Sequence, residues 1–283
     1  MSSEQHNQPY MQVPTKTVTA NGVSYAYREM GPKGGVPVVF LIHLAGTMDN
    51  WDPRIIEPIA AKHHVITFSN RGVGASTGSV PDTIEGMADD AASFIKALGY
   101  PQVDLFGFSL GGMIAQSLVL KHPGLVRKLV LAGTGPAGGE GIQKIMGTTY
   151  YDVLRGALTR QDPKEFLFFN RNATGKPAAR AFINRLKERT TNCEAPIKLK
   201  AFHTQLKAIK RWGLSPSADL GVITQPTLIA NGDNDRMVPS VLSSDMHRRI
   251  PGSELVIYPD SGHGGIFQFH DRFVPVALEF LAR

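Results

Sequence analysis

Short runs of almost unbroken apolar character recur along the chain: "VVFLIHL" (38–44), "HVITFS" (64–69), "VDLFGF" (103–108), "KLVLAG" (128–133), "PTLIANG" (226–232) and "ELVIYPD" (254–260). Strands with one wet face alternate apolar and polar residues, whereas continuous runs this short predict central parallel strands covered on both faces. Upstream, "TKTVTANGVSYAYREMG" alternates around Asn21-Gly22, a strong signal for a tight hairpin. Helical patterns separate the strands: "TIEGMADDAASFIKALG", closed by a glycine of the C-cap type, "GGMIAQSLVLKHP", closed by a proline, and the terminal "RFVPVALEFLAR". Strand–helix alternation of this kind predicts an α/β class protein, a doubly wound and mostly parallel sheet led by an antiparallel hairpin.

The alternation stops between positions 136 and 222. "GIQKIMGTTYYDVLRGAL", "PKEFLFF", "PAARAFINRLKERT" and "PIKLKAFHTQLKAIKRW" all read as helices, the first of them short and broken at Gly147. The expected organisation is a partly ordered tail at 1–14, an α/β core at 15–135 and 223–283, and a helical insertion at 136–222 that caps the carboxyl ends of the strands.

Composition narrows the class only modestly. At 42% hydrophobic and 19% charged residues the chain has ordinary globular composition. Its apolar runs fall short of the ~20 residues that span a bilayer, so no membrane association is expected. "MSSEQHNQPYMQVP" lacks the basic-then-apolar order of a secretory signal. Cys193 has no partner for an intrachain disulfide and reads as a half-buried free thiol, so a cytoplasmic location is expected. The net charge of +6 is concentrated, since residues 135–222 carry 15 Lys/Arg against 7 Asp/Glu. No aromatic-interleaved basic groove accompanies it, so nucleic acid is not an expected partner. Solvated helix faces are the simpler reading. The sharper one has one or two of Arg171, Arg180, Arg185, Lys187 and Arg189 pairing with a substrate carboxylate. A small-molecule substrate is the expected partner, with a homodimer left open.

Candidate chemistry begins at "VDLFGFSLGG" (103–112). Gly-x-Ser-x-Gly between a strand and a helix is a sharp turn that exposes the serine hydroxyl, here Ser109. The helix that follows offers backbone N–H groups to an oxyanion. A hydroxyl is a weak nucleophile until a base removes its proton, so an acid and a histidine should follow in that order. "PTLIANGDNDRMVPS" ends a strand run with Asp233 and Asp235, and "ELVIYPDSGHGG" ends the next with Asp260 and His263. Carboxyl ends of strands are where open α/β sheets build their sites.

On GFSLG, NGDNDRMVP and SGH together, the chain from about residue 18 to 283 resembles α/β-hydrolases of the small esterase, lactonase and cofactor-free haloperoxidase type. "FSNRGVGAS" (68–76) is similar to a loop of that family. The resemblance implies Ser109 as nucleophile, His263 as general base and Asp235, through Gly-x-x-Asp before Val-Pro, as the orienting acid. It implies backbone donors to an oxyanion at Ala45 and Leu110. "IHLAGTMDNW" departs from the family pattern, with Leu44 where a glycine is usual. Leu44 and Trp51 are candidates for the substrate pocket, Trp51 equally for the core. The expected function is a serine hydrolase of a small ester, lactone or related carbonyl compound. C–C bond hydrolysis or perhydrolysis on the same triad is the alternative, and a non-hydrolytic ligand-binding protein on the same fold is another.

A competing signal lies in "KLVLAGTGPAGG", where Gly133, Gly135 and Gly138 fit a dinucleotide fingerprint with Asp152 near the ribose-binding position. That fingerprint normally opens its domain and is followed by a second parallel strand. Here four strand runs precede it and helices follow, so the glycines read as a turn and no cofactor is expected. No metal is expected either, since HExxH is absent and one cysteine excludes cysteine-rich zinc sites.

Overall fold

The computed structural model describes residues 8–283. β1 (Lys16–Ala20) and β2 (Val23–Met30) form the hairpin, and both turn residues lie at positive φ, Asn21 at 49° and Gly22 at 74°, as a type I′ turn requires. Then follow β3 (Val38–Leu41), α1 (Pro53–Ala60), β4 (Val65–Phe68), α2 (Ile84–Ala97), β5 (Val103–Phe108), α3 (Leu110–Lys121) and β6 (Val126–Ala132). The chain next runs through α4 (Ile145–Thr159), α5 (Pro163–Phe168), α6 (Gly175–Leu186) and α7 (Leu199–Leu214). It returns through β7 (Thr227–Gly232), α8 (Val241–Arg249), β8 (Glu254–Tyr258), α9 (Gly265–Gln268) and α10 (His270–Ala282). One eight-stranded sheet results, in the order β1-β2-β4-β3-β5-β6-β7-β8. The pairs β1–β2 and β2–β4 are antiparallel and all others parallel.

Successive strand residues point to opposite faces, so continuous apolar runs supply two cores at once. Val39, Leu105 and Leu129 pack on one face with Ile95 of α2 and Ile114 and Leu118 of α3. Val38, Phe40, Phe106 and Val130 pack on the other with Ile55 and Ile59 of α1 and Phe273 and Phe280 of α10. The sheet is thus covered on both sides, and its carboxyl edge is left to the loops.

Ahead of β1, Tyr10, Met11 and Val13 are buried, and the Tyr10 hydroxyl bonds to Met48 O at 2.8 Å and Thr67 Oγ1 at 3.0 Å. Residues 1–7 of the expected tail lie outside the described residues. Two expectations need correction. α4 runs unbroken through Gly147, an exposed position in its first turn, because one helical glycine costs only ~1 kcal/mol. Cys193 is exposed rather than half-buried, in the turn after α6, its thiol donating to Arg189 O at 3.3 Å. Among the described residues no helix is long and apolar enough to cross a membrane.

Candidate active site

The turn after β5 is where the glycine pattern acts. Ser109 sits at φ 56°, ψ −117°, a conformation L-residues avoid, at a cost of order 1–3 kcal/mol. The surroundings hold it there. Its N–H donates to Ala132 O at 2.9 Å, and its carbonyl accepts from the Thr134 hydroxyl at 2.9 Å and from Gly112 N at 2.9 Å. A Cβ at Gly111 would stand 1.8 Å from Leu41 O, and one at Gly107 would stand 2.5 Å from Gly111 O. Only hydrogen at these positions lets α3 begin directly behind the serine.

Two loops from neighbouring strands meet Ser109. The loop after β8 carries His263, whose Nε2 is 2.9 Å from Ser109 Oγ. The loop after β7 carries Asp235, whose Oδ2 is 2.7 Å from His263 Nδ1. The other carboxylate oxygen of Asp235 accepts from Met237 N at 2.8 Å and Val238 N at 3.0 Å, which fixes the direction of the group. With Nδ1–H donating to Asp235, the imidazole presents Nε2 as acceptor to the serine hydroxyl, the tautomer general-base catalysis needs. All three are at least nine-tenths buried, and the imidazole is braced by the rings of Phe108 and Phe168, at 5.1 and 5.4 Å between centroids.

The rival acids have other partners. Asp233 ties the loop after β7 to the loop after β8 by accepting from Asp260 N at 3.0 Å and Ser261 N at 3.2 Å. Asp260 is exposed and accepts from Asn172 Nδ2 at 2.5 Å and from the Thr174 hydroxyl. The glycines of the supposed dinucleotide fingerprint serve the turn out of β6. A Cβ at Gly133 would stand 2.8 Å from the Phe108 ring and 3.3 Å from His263 Nδ1, so that glycine makes room for the imidazole.

Opposite the serine, the loop after β3 turns at Ala45, which takes φ 62°. The positive dihedral falls on Ala45 and not on Leu44, and this is why leucine is tolerated where a glycine is usual. Leu110, the first residue of α3, has an N–H without an intrahelical acceptor. The Ala45 N–H is engaged: it donates to Oε1 of Gln205, from the middle of α7, at 2.8 Å.

Ser109 and His263 open into a cavity of ≈ 170 Å³. Its walls are mostly apolar, with Leu44, Ile145 and Val153, Leu167, Phe202 and Met237 among them. The helices between β6 and β7 supply much of this wall. Trp51, a candidate pocket residue, is absent from it. That indole is wholly buried and packs edge-on against Phe40 at 5.0 Å and Phe106 at 5.8 Å, beneath the sheet face covered by α1. The cationic residue in the wall, Lys164, is 3.0 Å from Asp162, also in the wall. None of Arg171, Arg180, Arg185, Lys187 and Arg189 lines the cavity. Arg185 forks onto Asp52 at 2.8 and 2.6 Å, and Arg189 donates to Met11 O and Val13 O at 2.8 and 3.1 Å. They tie α6 and the segment after it to the core, neither facing water nor reaching the cavity.

His43 also lines the cavity, with Nδ1 2.7 Å from Leu44 O. Burial pushes its pKa down to about 3, against the opposing pull of that hydrogen bond, so it is neutral around pH 7. Sequence reasoning missed His43, Thr149 of α4 and Gln205 as site residues. The signal for Gln205 was present: in "AFHTQLKAI" it stands three residues after Phe202 and four before Ile209, a polar group on the apolar stripe of the helix.

A doubly wound sheet that gathers serine, aspartate and histidine from the ends of β5, β7 and β8 defines a class of α/β proteins. The chain belongs to the alpha/beta hydrolase fold family, whose pattern it matches over residues 36–269. It is similar to an alpha/beta hydrolase fold protein from Chitinophaga pinensis of known structure, at 34% identity and a TM-score of 0.90 over 97% of this chain and 99% of that one. It is also similar to the 2-hydroxy-6-oxononadienedioate/2-hydroxy-6-oxononatrienedioate hydrolase of Klebsiella pneumoniae, at 34% identity over 88% of each chain. The proline iminopeptidase PfmaB of Pestalotiopsis fici is 26% identical over 91% of this chain and 95% of its own.

Proposed function

We propose that the protein is a serine hydrolase of small, uncharged esters or lactones, with Ser109 as nucleophile, His263 as general base, Asp235 as orienting acid, and residues 136–222 as a cap over the site. The observation that carries this reading is the continuous hydrogen-bond chain Ser109–His263–Asp235 opening into a cavity of ≈ 170 Å³. In the acylation step the Ser109 oxygen bonds to the carbonyl carbon as its proton passes to His263 Nε2, and the carbonyl becomes an oxyanion facing the N–H groups of Leu110 and Ala45. Collapse breaks the bond to the alkoxy group, which leaves with the proton from His263. Water then attacks the acyl-enzyme with His263 again as base, and the acid departs. Asp235 stabilises the imidazolium in both halves without taking its proton.

The uncharged substrate follows from the walls. A carboxylate moved into an apolar cavity needs a free cation or several donors to offset its desolvation, and Lys164 is already paired. C–C bond hydrolysis is the second reading, favoured by the 34% identity to the Klebsiella enzyme. That enzyme's named substrate is a dioate, and two carboxylates fit this cavity poorly. A panel of p-nitrophenyl esters, γ-lactones and carboxylate-bearing diketones tests the assignment. Short neutral esters or lactones should turn over, and Ser109→Ala should lower kcat by on the order of 10³-fold or more with the fold intact. Full activity in Ser109→Ala would sink the serine mechanism, and a strong preference for the acidic diketones would move the substrate to the second class.

A further inference from the structure

One of the two backbone donors assigned to the oxyanion is already occupied, and by an unusual partner. Gln205 is fully buried, its Oε1 accepts from Ala45 N at 2.8 Å, and its Nε2 is buried without any partner. Phe202 and Ile209, one turn to either side on α7, both line the cavity that holds Ser109. The amide oxygen therefore stands where a substrate's carbonyl oxygen would have to come to reach the same N–H. A glutamine serving only as glue between α7 and the loop would be expected to use both ends of its amide, because a buried donor left unmade costs about what a hydrogen bond gains.

We propose that Gln205 is a positioning residue that occupies the oxyanion site between turnovers, its Oε1 standing in for the substrate oxygen, and that productive binding displaces it from Ala45. This rests on the serine-hydrolase reading above. The resting contact is built to be given up. One neutral hydrogen bond is all that holds the amide, since its Nε2 has no partner to lose. The empty site keeps the Ala45 N–H satisfied, and a substrate releases it only by bringing an oxygen that is the better acceptor. A developing oxyanion is such a group, since charge-assisted bonds are roughly twice as strong as neutral ones. The device thus favours the transition state over the bound substrate.

The test uses butylboronic acid and two variants of the full chain. In the wild type, Ser109 Oγ adds to boron, its proton passes to His263, and the resulting tetrahedral anion places an oxygen in the oxyanion site. Gln205→Met keeps the length of the side chain and removes the competitor. It should tighten boronate binding roughly 3- to 10-fold, the range of one neutral hydrogen bond no longer to be broken, and raise kcat/KM for the best ester in parallel. Gln205→Glu, folded by circular dichroism and assayed at pH 8, should loosen boronate by 10-fold or more, because a carboxylate holds Ala45 N–H harder and repels the anion. Boronate affinity that is unchanged or weaker in Gln205→Met would overturn the proposal and leave Gln205 a structural tie. Absence of a tetrahedral boron signal in the wild type would instead remove the serine mechanism, and this proposal with it.

Discussion

His43 gives the structure a pH signature that can be worked out in advance. The imidazole is 5% exposed, packed against Phe168 and Phe108 at 5.1 and 5.9 Å, and burial holds its pKa at about 3 against an ordinary value of 6.5. In the unfolded chain it protonates below pH 6.5, while in the folded protein it stays neutral until pH 3. The unfolded state therefore binds more protons between those limits. The stabilisation from a neutral His43 is fully present above pH 6.5 and is lost as the pH falls toward 3. At pH 5 the unfolded form has gained 1.5 pH units of protonation free energy, which at ~1.4 kcal/mol per unit is about 2 kcal/mol. Wild type should lose that much between pH 7 and pH 5 beyond what His43→Leu loses. Leucine keeps an apolar group against the two phenylalanines, and every other titrating group is common to both chains and cancels. Urea unfolding of both proteins at the two pH values gives the difference, whatever the variant's starting stability. Parallel losses in the two proteins, or a steeper loss in the variant, would show that folding does not depress the titration of His43.

Asp235→Asn should cost on the order of 10³–10⁴ in kcat by leaving His263 in the wrong tautomer. Asp233→Asn, at a residue whose carboxylate bonds to the neighbouring loop after β8 and not to His263, should cost about 1 kcal/mol of stability and leave kcat within a few-fold, and the reverse ranking in steady-state assays would move the acid. Gly111→Ala, with its Cβ 1.8 Å from Leu41 O, should unfold the protein or lower its melting temperature severely, whereas Gly35→Ala, with nothing within 4 Å, should not. Equal melting of the two would contradict the close approach of α3 to β3. Raising ionic strength should leave kcat/KM flat for neutral and carboxylate-bearing esters alike, because Arg171 and Arg185 are paired with carboxylates and neither they nor Arg180, Lys187 and Arg189 line the cavity. A fall confined to the carboxylate esters would restore electrostatic steering.

The sheet and the candidate site residues Ser109, Asp235 and His263 are legible along the chain for a physical reason: both are written in short, contiguous patterns. Each parallel strand must be apolar on both faces, so "VVFLIHL" and "VDLFGF" announce themselves without knowledge of their neighbours. Asn21-Gly22 takes the two positive φ angles a tight hairpin needs, and the glycines around Ser109 are required by backbone contacts only a few residues away. Asp235 and His263 were readable because each closes such a strand. Tertiary structure alone decided everything that depends on which distant side chains meet. Trp51 sits in a polar-looking stretch after β3, yet the direction of α1 turns it under the sheet onto Phe40 and Phe106. The basic excess of residues 135–222 left an anion site open, but Asp52 and the carbonyls of Met11 and Val13, far away in sequence, hold Arg185 and Arg189. Gln205 lies 160 positions from Ala45, and only the packing of α7 over the loop after β3 brings its amide to the Ala45 N–H.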